Sequence, residues 1–184
     1  ADPVAIRNAS HVILPGVGAA ADAMRRLEAR GLDELIPTLP QPVLGICLGM
    51  QLFAERSEED DTDCLGILPG TAAKLQATPE APVPNMGWCE VTASREHPVM
   101  GGIPPGSHFY FVHSYALPVA DYSVAEAHHA VPLTAVAVRD NFIAAQFHPE
   151  RSSAAPSLRW QSPLPSSWRC RSRCRPKESP RPSA

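Results

Sequence analysis

An α/β fold, with a sheet flanked by helices, is what this sequence predicts, and three observations predict it. Two short apolar runs, "HVIL" (11–14) and "PVLGI" (42–46), are each followed by a stretch with helical apolar spacing. Strands that are apolar throughout and alternate with helices belong to parallel sheets covered on their faces. From about residue 72 the pattern turns into closely spaced strand-like segments, so the sheet is expected to be mixed.

Each element has its own signal. "HVIL" is β-rich and stops at Pro15-Gly16, as a buried strand does. In "AAADAMRRLEARG" the residues Ala20, Met24 and Leu27 share one helical face, and Gly31 suits the C-terminal end. "PVLGI" gives a second buried strand, and an apolar-periodic helix is expected through "LGMQLFAERSEE". Further on, "AAKLQA", "GWCEVTA", "FYFVHSY", "LTAVAVRD" and "FIAAQFH" read as strands. The last two form a hairpin around Asp140-Asn141, whereas His128-His129 fall in an expected surface turn. No internal repeat is visible.

Composition narrows the class. The 184 residues are 44% hydrophobic, enough for one domain with a sizeable core, here taken as residues 1–155. No apolar run approaches the roughly 20 residues of a membrane span, and no signal peptide is evident. The five cysteines are not spaced as a disulfide framework, so a reduced, cytoplasmic protein is expected. The net charge of −3 is uneven: residues 156–184 hold six Arg and one Lys against one Glu, leaving −9 for the rest. With six Pro, seven Ser and no apolar periodicity, that segment reads as disordered or as out of frame. Neither nucleic acid nor membrane is expected as a partner.

The chemistry centres on "GICLG" (45–49), a small-x-nucleophile-x-small pattern with Cys47 at its vertex. A strand turning sharply into a helix leaves no room for side chains at Gly45 and Gly49. At a helix N-terminus the Cys47 thiol is expected to have a lowered pKa. Alone, the motif leaves open that Cys47 is a small buried hydrophobe. A nucleophile needs a base, and the base needs an orienting group. "QFHPE" (146–150) offers His148 at a strand end with Glu150 two residues on. "LPGVGA" (14–19) is a Gly-rich strand-to-helix turn whose backbone N–H groups suit an oxyanion. Neither phosphate-binding glycine pattern is present, so nucleotide binding is discounted. No second His/Cys cluster stands at ligand spacing, so no metal or other cofactor is expected.

These segments, with "MGW" (86–88) and "FYFVHSY" (109–115), occur in the order found in class I glutamine amidotransferases, which the chain resembles from about Ala9 to Ser153. Among these it is most similar to the glutaminase (HisH) subunits of imidazole glycerol phosphate synthase, for which "PGVG" is the discriminating element. The resemblance implies a flavodoxin-like mixed sheet and a catalytic Cys47–His148–Glu150 triad that hydrolyses glutamine to glutamate and ammonia. It further implies an oxyanion hole from Gly16, Val17, Gly18 and Leu48, and substrate contacts from Gln51, Glu59, Ser114 and Tyr115. Ammonia would pass to a (β/α)8-barrel cyclase subunit (HisF), which makes imidazole glycerol phosphate and AICAR. Asn85, Met86, Trp88, Tyr110 and Arg151 would face that partner.

The chain departs from the family pattern in places. Set against the family pattern, the N-terminal strand–helix–strand is expected to be missing and the helix after "HPE" to be replaced by the Pro/Ser/Arg segment, so the fold is expected to be incomplete at both ends. Asn85 stands where His is common, Cys89 where Asn is common, and Arg151 where Lys is common. Two other readings stay open: the glutaminase subunit of another synthase, such as anthranilate synthase, and a chain that keeps the triad without activity.

Overall fold

The structure is a computed structural model that describes residues 2–152. In chain order, α1 (Pro3–Asn8) leads to β1 (Val12–Gly16), α2 (Ala20–Glu28), α3 (Leu32–Leu35), β2 (Val43–Cys47) and α4 (Leu48–Gln51). Strands β3 (Arg56–Ser57), β4 (Thr62–Asp63), β5 (Thr71–Lys74), β6 (Asn85–Glu90) and β7 (Thr92–Ala93) follow. The last are β8 (His108–His113), β9 (Tyr115–Ala116), β10 (Ser123–His129), β11 (Val131–Arg139) and β12 (Phe142–Ala145).

The main sheet has the order β1-β2-β12-β11-β10-β7. Strand β2 runs parallel to both β1 and β12, and the remaining pairs are antiparallel. The register matters for function. Gly16 lies opposite Cys47, and Ala145 opposite Ile46, so three parallel strands end side by side. Open α/β sheets bind ligands outside such carboxyl ends. A β6–β8 ribbon and the small β4-β3-β5-β9 sheet are the other sheets among the described residues.

Period-two alternation sends neighbouring strand residues into two separate cores. Val43, Phe142 and Ala144 pack with Ala20, Met24, Leu27, Leu32 and Phe53 beneath the helices. Leu44, Ile143 and Ala145 pack on the other face with Phe109, Phe111 and Phe147. There Phe109 and Phe147 stack with centroids 4.2 Å apart. The helices therefore cover one face, and the β6–β8 ribbon contributes the cover of the other.

Several local expectations are corrected. The helix expected through "LGMQLFAERSEE" is one turn, Leu48–Gln51. Its continuation is stopped because a later loop claims its carbonyls: Leu65, Leu68 and Gly66 donate N–H groups to the oxygens of Leu52, Phe53 and Ala54. Long-range hydrogen bonds thus replace i→i+4 bonds that sequence periodicity anticipates. His128 and His129 are strand residues paired with Pro132 and Val131, and the turn sits at Ala130 with φ 59°. "GWCEVTA" divides between two partners, β6 with β8 and β7 with β10. "FYFVHSY" likewise divides into β8 and β9. Gly31 does adopt the left-handed conformation (φ 62°), at the junction of α2 and α3. The hairpin at Asp140-Asn141 forms, and Asn141 Nδ2 also ties it to the carbonyls of Leu39 and Gln41. The segment 156–184 lies outside the described residues.

Candidate active site

Cys47 is the last residue of β2 and the first turn of α4 begins at the next residue. Its backbone has φ 53° and ψ −109°, a conformation that costs a non-glycine residue on the order of 1–3 kcal/mol. Both flanking glycines are required by space. A Cβ on Gly45 would lie 2.8 Å from the Gly49 carbonyl oxygen, and one on Gly49 would drive into the carbonyl oxygen of Leu14. The elbow is thus wedged between β1 and its own helix, which holds the strained vertex in place.

The sulfur is enclosed. Cys47 Sγ–H donates to the Val112 carbonyl oxygen at 3.7 Å, and Gln146 Nε2–H donates to the sulfur at 3.8 Å. Burial is the main cause that pushes the thiol pKa up to about 11, and the nearby Glu150 carboxylate adds to it. The Leu48 backbone N–H pulls in the other direction without prevailing. The lowered pKa expected from the helix N-terminus is therefore corrected: a one-turn helix offers a weak dipole, and desolvation of the thiolate outweighs it. The resting thiol is protonated.

His148 lies just past the end of β12, on a backbone pinned by two bonds. Its N–H donates to the Tyr110 carbonyl at 2.9 Å, and its carbonyl accepts from Ser152 Oγ at 2.9 Å. Its Nδ1 meets Glu150 Oε1 at 2.8 Å, which fixes the proton on Nδ1 and the lone pair on Nε2. That Nε2 is buried and, among the described residues, has no hydrogen-bond partner. An unpaired buried acceptor is costly, and it is the atom a general base needs free.

A cavity of about 570 Å³ joins these groups. Cys47, His148 and Glu150 line it, together with Gly16, Val17, Gly18, Leu48, Gln51, Glu59, Ser114, Tyr115 and Arg151. Every catalytic, oxyanion and substrate residue expected from the sequence is therefore brought to one place. Gly18 has φ 101°, which a side chain would resist, and the Val17 side chain is 88% exposed. Gln51 is buried rather than on a solvated helix face, and its Nε2 donates to Tyr115 O at 2.8 Å and to Gln146 Oε1 at 3.3 Å. Glu59 Oε2 accepts the Ala20 N–H at 2.7 Å and so caps α2 from a distant loop, where Ala19 supplies no side-chain cap.

The expected partner-facing residues divide. Met86 and Trp88 are 64% and 52% exposed, on strand β6 rather than on a loop. Trp88 meets Tyr110 edge-on at 5.9 Å, and the Arg151 guanidinium lies 5.3 Å from the Tyr110 ring centre. Asn85 is a correction: its side chain is only 3% exposed and cannot present a surface. The strand's alternation turns it inward, where its Nδ2 meets His113 Nε2 at 3.1 Å. Sequence reasoning missed Val112, His113, Gln146 and Ser152. Position in "QFHPE" was the one available signal, because Gln146 and His148 are two apart on an extended segment.

A cysteine on a strand–helix elbow, a histidine oriented by a carboxylate and a glycine-lined loop at one carboxyl edge define an α/β enzyme suited to acyl transfer through sulfur. Residues 4–159 match the family "Glutamine amidotransferase class-I", and the chain belongs to that family of enzymes. It is 48% identical over 152 residues to imidazole glycerol phosphate synthase subunit HisH 2 of Legionella pneumophila (strain Lens), covering 83% of this chain and 76% of that one. Against the HisH subunit of Vibrio cholerae the identity is 44% over 160 residues, covering 84% and 78%. Among solved structures, a crystal structure of a glutamine amidotransferase shares the fold, with a TM-score of 0.60 and 14% identity over 81% of this chain and 75% of that one.

Proposed function

We propose that this chain is the glutaminase subunit of an imidazole glycerol phosphate synthase, acting in histidine biosynthesis through Cys47, His148 and Glu150. The observation that carries the catalytic assignment is the free, buried Nε2 of His148, held by Glu150 through Nδ1, in the cavity that Cys47 lines. Because the thiol rests protonated, the nucleophile is made by transfer of its proton to Nε2 as sulfur approaches substrate. Sulfur bonds the amide carbon of glutamine, and the carbonyl π electrons move onto oxygen. The N–H of Leu48 and the Gly16–Val17–Gly18 loop stabilise that oxyanion. His148 then returns the proton to the nitrogen, the C–N bond breaks, and ammonia leaves a γ-glutamyl thioester. Water, deprotonated by Nε2, opens the thioester, and glutamate departs as the thiol recovers its proton.

The remaining cavity residues bind substrate. Gln51 is locked by the two bonds its Nε2 donates, which leaves its oxygen for the substrate, and Glu59 offers its second carboxylate oxygen to the α-ammonium group. Ser114 and Tyr115 receive the α-carboxylate. The exposed Met86, Trp88 and Arg151, with half-buried Tyr110 between the last two, face the (β/α)8-barrel cyclase (HisF), to which ammonia passes, and Asn85 is buried on the same strand as Met86 and Trp88. Among the described residues the cysteines Cys47, Cys64 and Cys89 are free, which suits a reducing cytoplasm. Covalent labelling by a glutamine-analogue chloroketone, with and without the cyclase, tests the assignment. Labelling of Cys47 that glutamine competes away is expected; labelling that survives Cys47→Ala ends it.

A further inference from the structure

Gln146 takes no part in the chemistry above, yet it is fully buried and its carboxamide lies between Gln51 and the sulfur of Cys47. Which end of that carboxamide faces sulfur is decided elsewhere. The Tyr115 backbone carbonyl can only accept, so the Gln51 atom 2.8 Å away must be its Nε2. The same NH2 group meets Gln146 at 3.3 Å and so requires its Oε1. That leaves the Gln146 NH2 pointing at sulfur, 3.8 Å from Sγ. The reverse orientation would bring two NH2 groups together at Gln51.

We infer that Gln146 is a positioning residue for the nucleophile: its N–H, oriented through Gln51 by the Tyr115 carbonyl, holds the Cys47 sulfur and stabilises the charge it acquires on deprotonation. The inference rests on Cys47 being the nucleophile and deepens that reading. The resting thiol spends its proton on the Val112 carbonyl, so the sulfur lone pairs remain for a donor. A hydrogen bond to an ionised acceptor is stronger than one to a neutral acceptor, so the Gln146 contact tightens as negative charge builds on sulfur. It acts where it is needed, because burial and Glu150 both oppose that charge. The other groups around the sulfur do not replace it. His148 receives the proton, and buried His113 on β8 is neutral in the ordinary range, its pKa lowered to about 4. Glu59, Tyr115 and Arg151 line the same cavity. Among these and Gln146, only Gln146 has a side-chain N–H donated to the sulfur.

The test is the pH profile of Cys47 alkylation by iodoacetamide in the full chain, for the parent, Gln146→Met and Gln146→Glu. Methionine preserves length and burial without the donor. Glutamate preserves shape and the acceptor for Gln51 while placing an acceptor against sulfur. Loss of one hydrogen bond to a thiolate lowers the rate about tenfold at each pH between 7 and 9, with the profile moved up by about one pH unit. The glutamate variant is expected to be slower still. A purely structural role predicts the opposite sign, because loosened packing exposes sulfur and speeds alkylation. Unchanged or faster alkylation in a folded Gln146→Met chain overturns the inference, and Gln146→Glu decides by the same criterion if the methionine variant does not fold. Each rate is read at Cys47 itself by peptide mapping, and failure of glutamine to protect Cys47 from the chloroketone in the parent chain instead sinks the assignment of the nucleophile itself.

Discussion

His113 and Glu150 show how single side chains are committed by their surroundings. His113 gives its Nδ1 proton to the Tyr115 carbonyl at 2.9 Å and faces the Asn85 amide with Nε2, and Asn85 Oδ1 already accepts from the Cys89 thiol. A second proton has nowhere to point, and burial first of all lowers the pKa to about 4. Between about pH 6.5 and 4 the unfolded chain takes up a proton that the folded chain refuses, so the stabilisation present above that range is lost as pH falls through it. The full difference is about 3 kcal/mol. Urea midpoints at pH 7 and 4.5 are expected to lie closer together in His113→Gln than in the parent; equal separations would contradict this. In the proposed mechanism Glu150 serves the reaction by orienting His148, while its charge opposes the Cys47 thiolate. Its side chain is more than half exposed, so Glu150→Gln is expected to lower the glutaminase kcat by about 10²-fold, at the low end for general acid–base groups. Steady-state ammonia release measures it, and an unchanged kcat would remove Glu150 from the mechanism.

At the scale of elements, the elbow between β2 and α4 is tightly constrained, with Cβ atoms excluded at Gly45 and Gly49. Gly49 packs directly on the backbone of β1, and the Leu14 carbonyl cannot retreat without opening the β1–β2 ladder. Gly49→Ala is therefore expected to cost about 3 kcal/mol, the upper end for overpacking, or to prevent folding. Equilibrium urea unfolding checks it, and a loss under about 1 kcal/mol would show that β1 yields more than the geometry implies. Much of this junction was legible in advance. "GICLG" states the requirement for two glycines because the clash is local. The length of the following helix was not legible, because what ends it is a set of bonds from Leu65, Gly66 and Leu68.

At the scale of the whole molecule, one buried polar chain and one exposed patch share strand β6. Asn85 and Cys89 turn inward toward His113, while Met86 and Trp88 turn outward. Trp88 and Arg151 each pack on Tyr110 already, so little side-chain freedom remains to be lost on docking. Central aromatic anchors dominate interfaces, so on the proposed docking face Trp88→Ala is expected to weaken binding of the proposed cyclase partner by about 2 kcal/mol, roughly 30-fold. Isothermal titration of the two purified proteins gives the number, and an unaltered affinity would move the interface elsewhere.

The sequence by itself determined the alternating strands and helices, the nucleophile elbow, the histidine–carboxylate pair and the glycine loop. All are short-range patterns in which the requirement and the residue that meets it stand within about five positions. Only the tertiary structure decided what those groups can do. Parallel pairing of β1, β2 and β12 brings Gly16, Cys47 and the residues after Ala145 to one edge. Burial keeps the thiol protonated against the helix dipole. A single carbonyl at Tyr115 accepts from both Gln51 and His113 and, through Gln51, orients Gln146. Dielectric environment and hydrogen-bond direction depend on neighbours that stand up to about a hundred residues apart in sequence, which is why no local pattern records them.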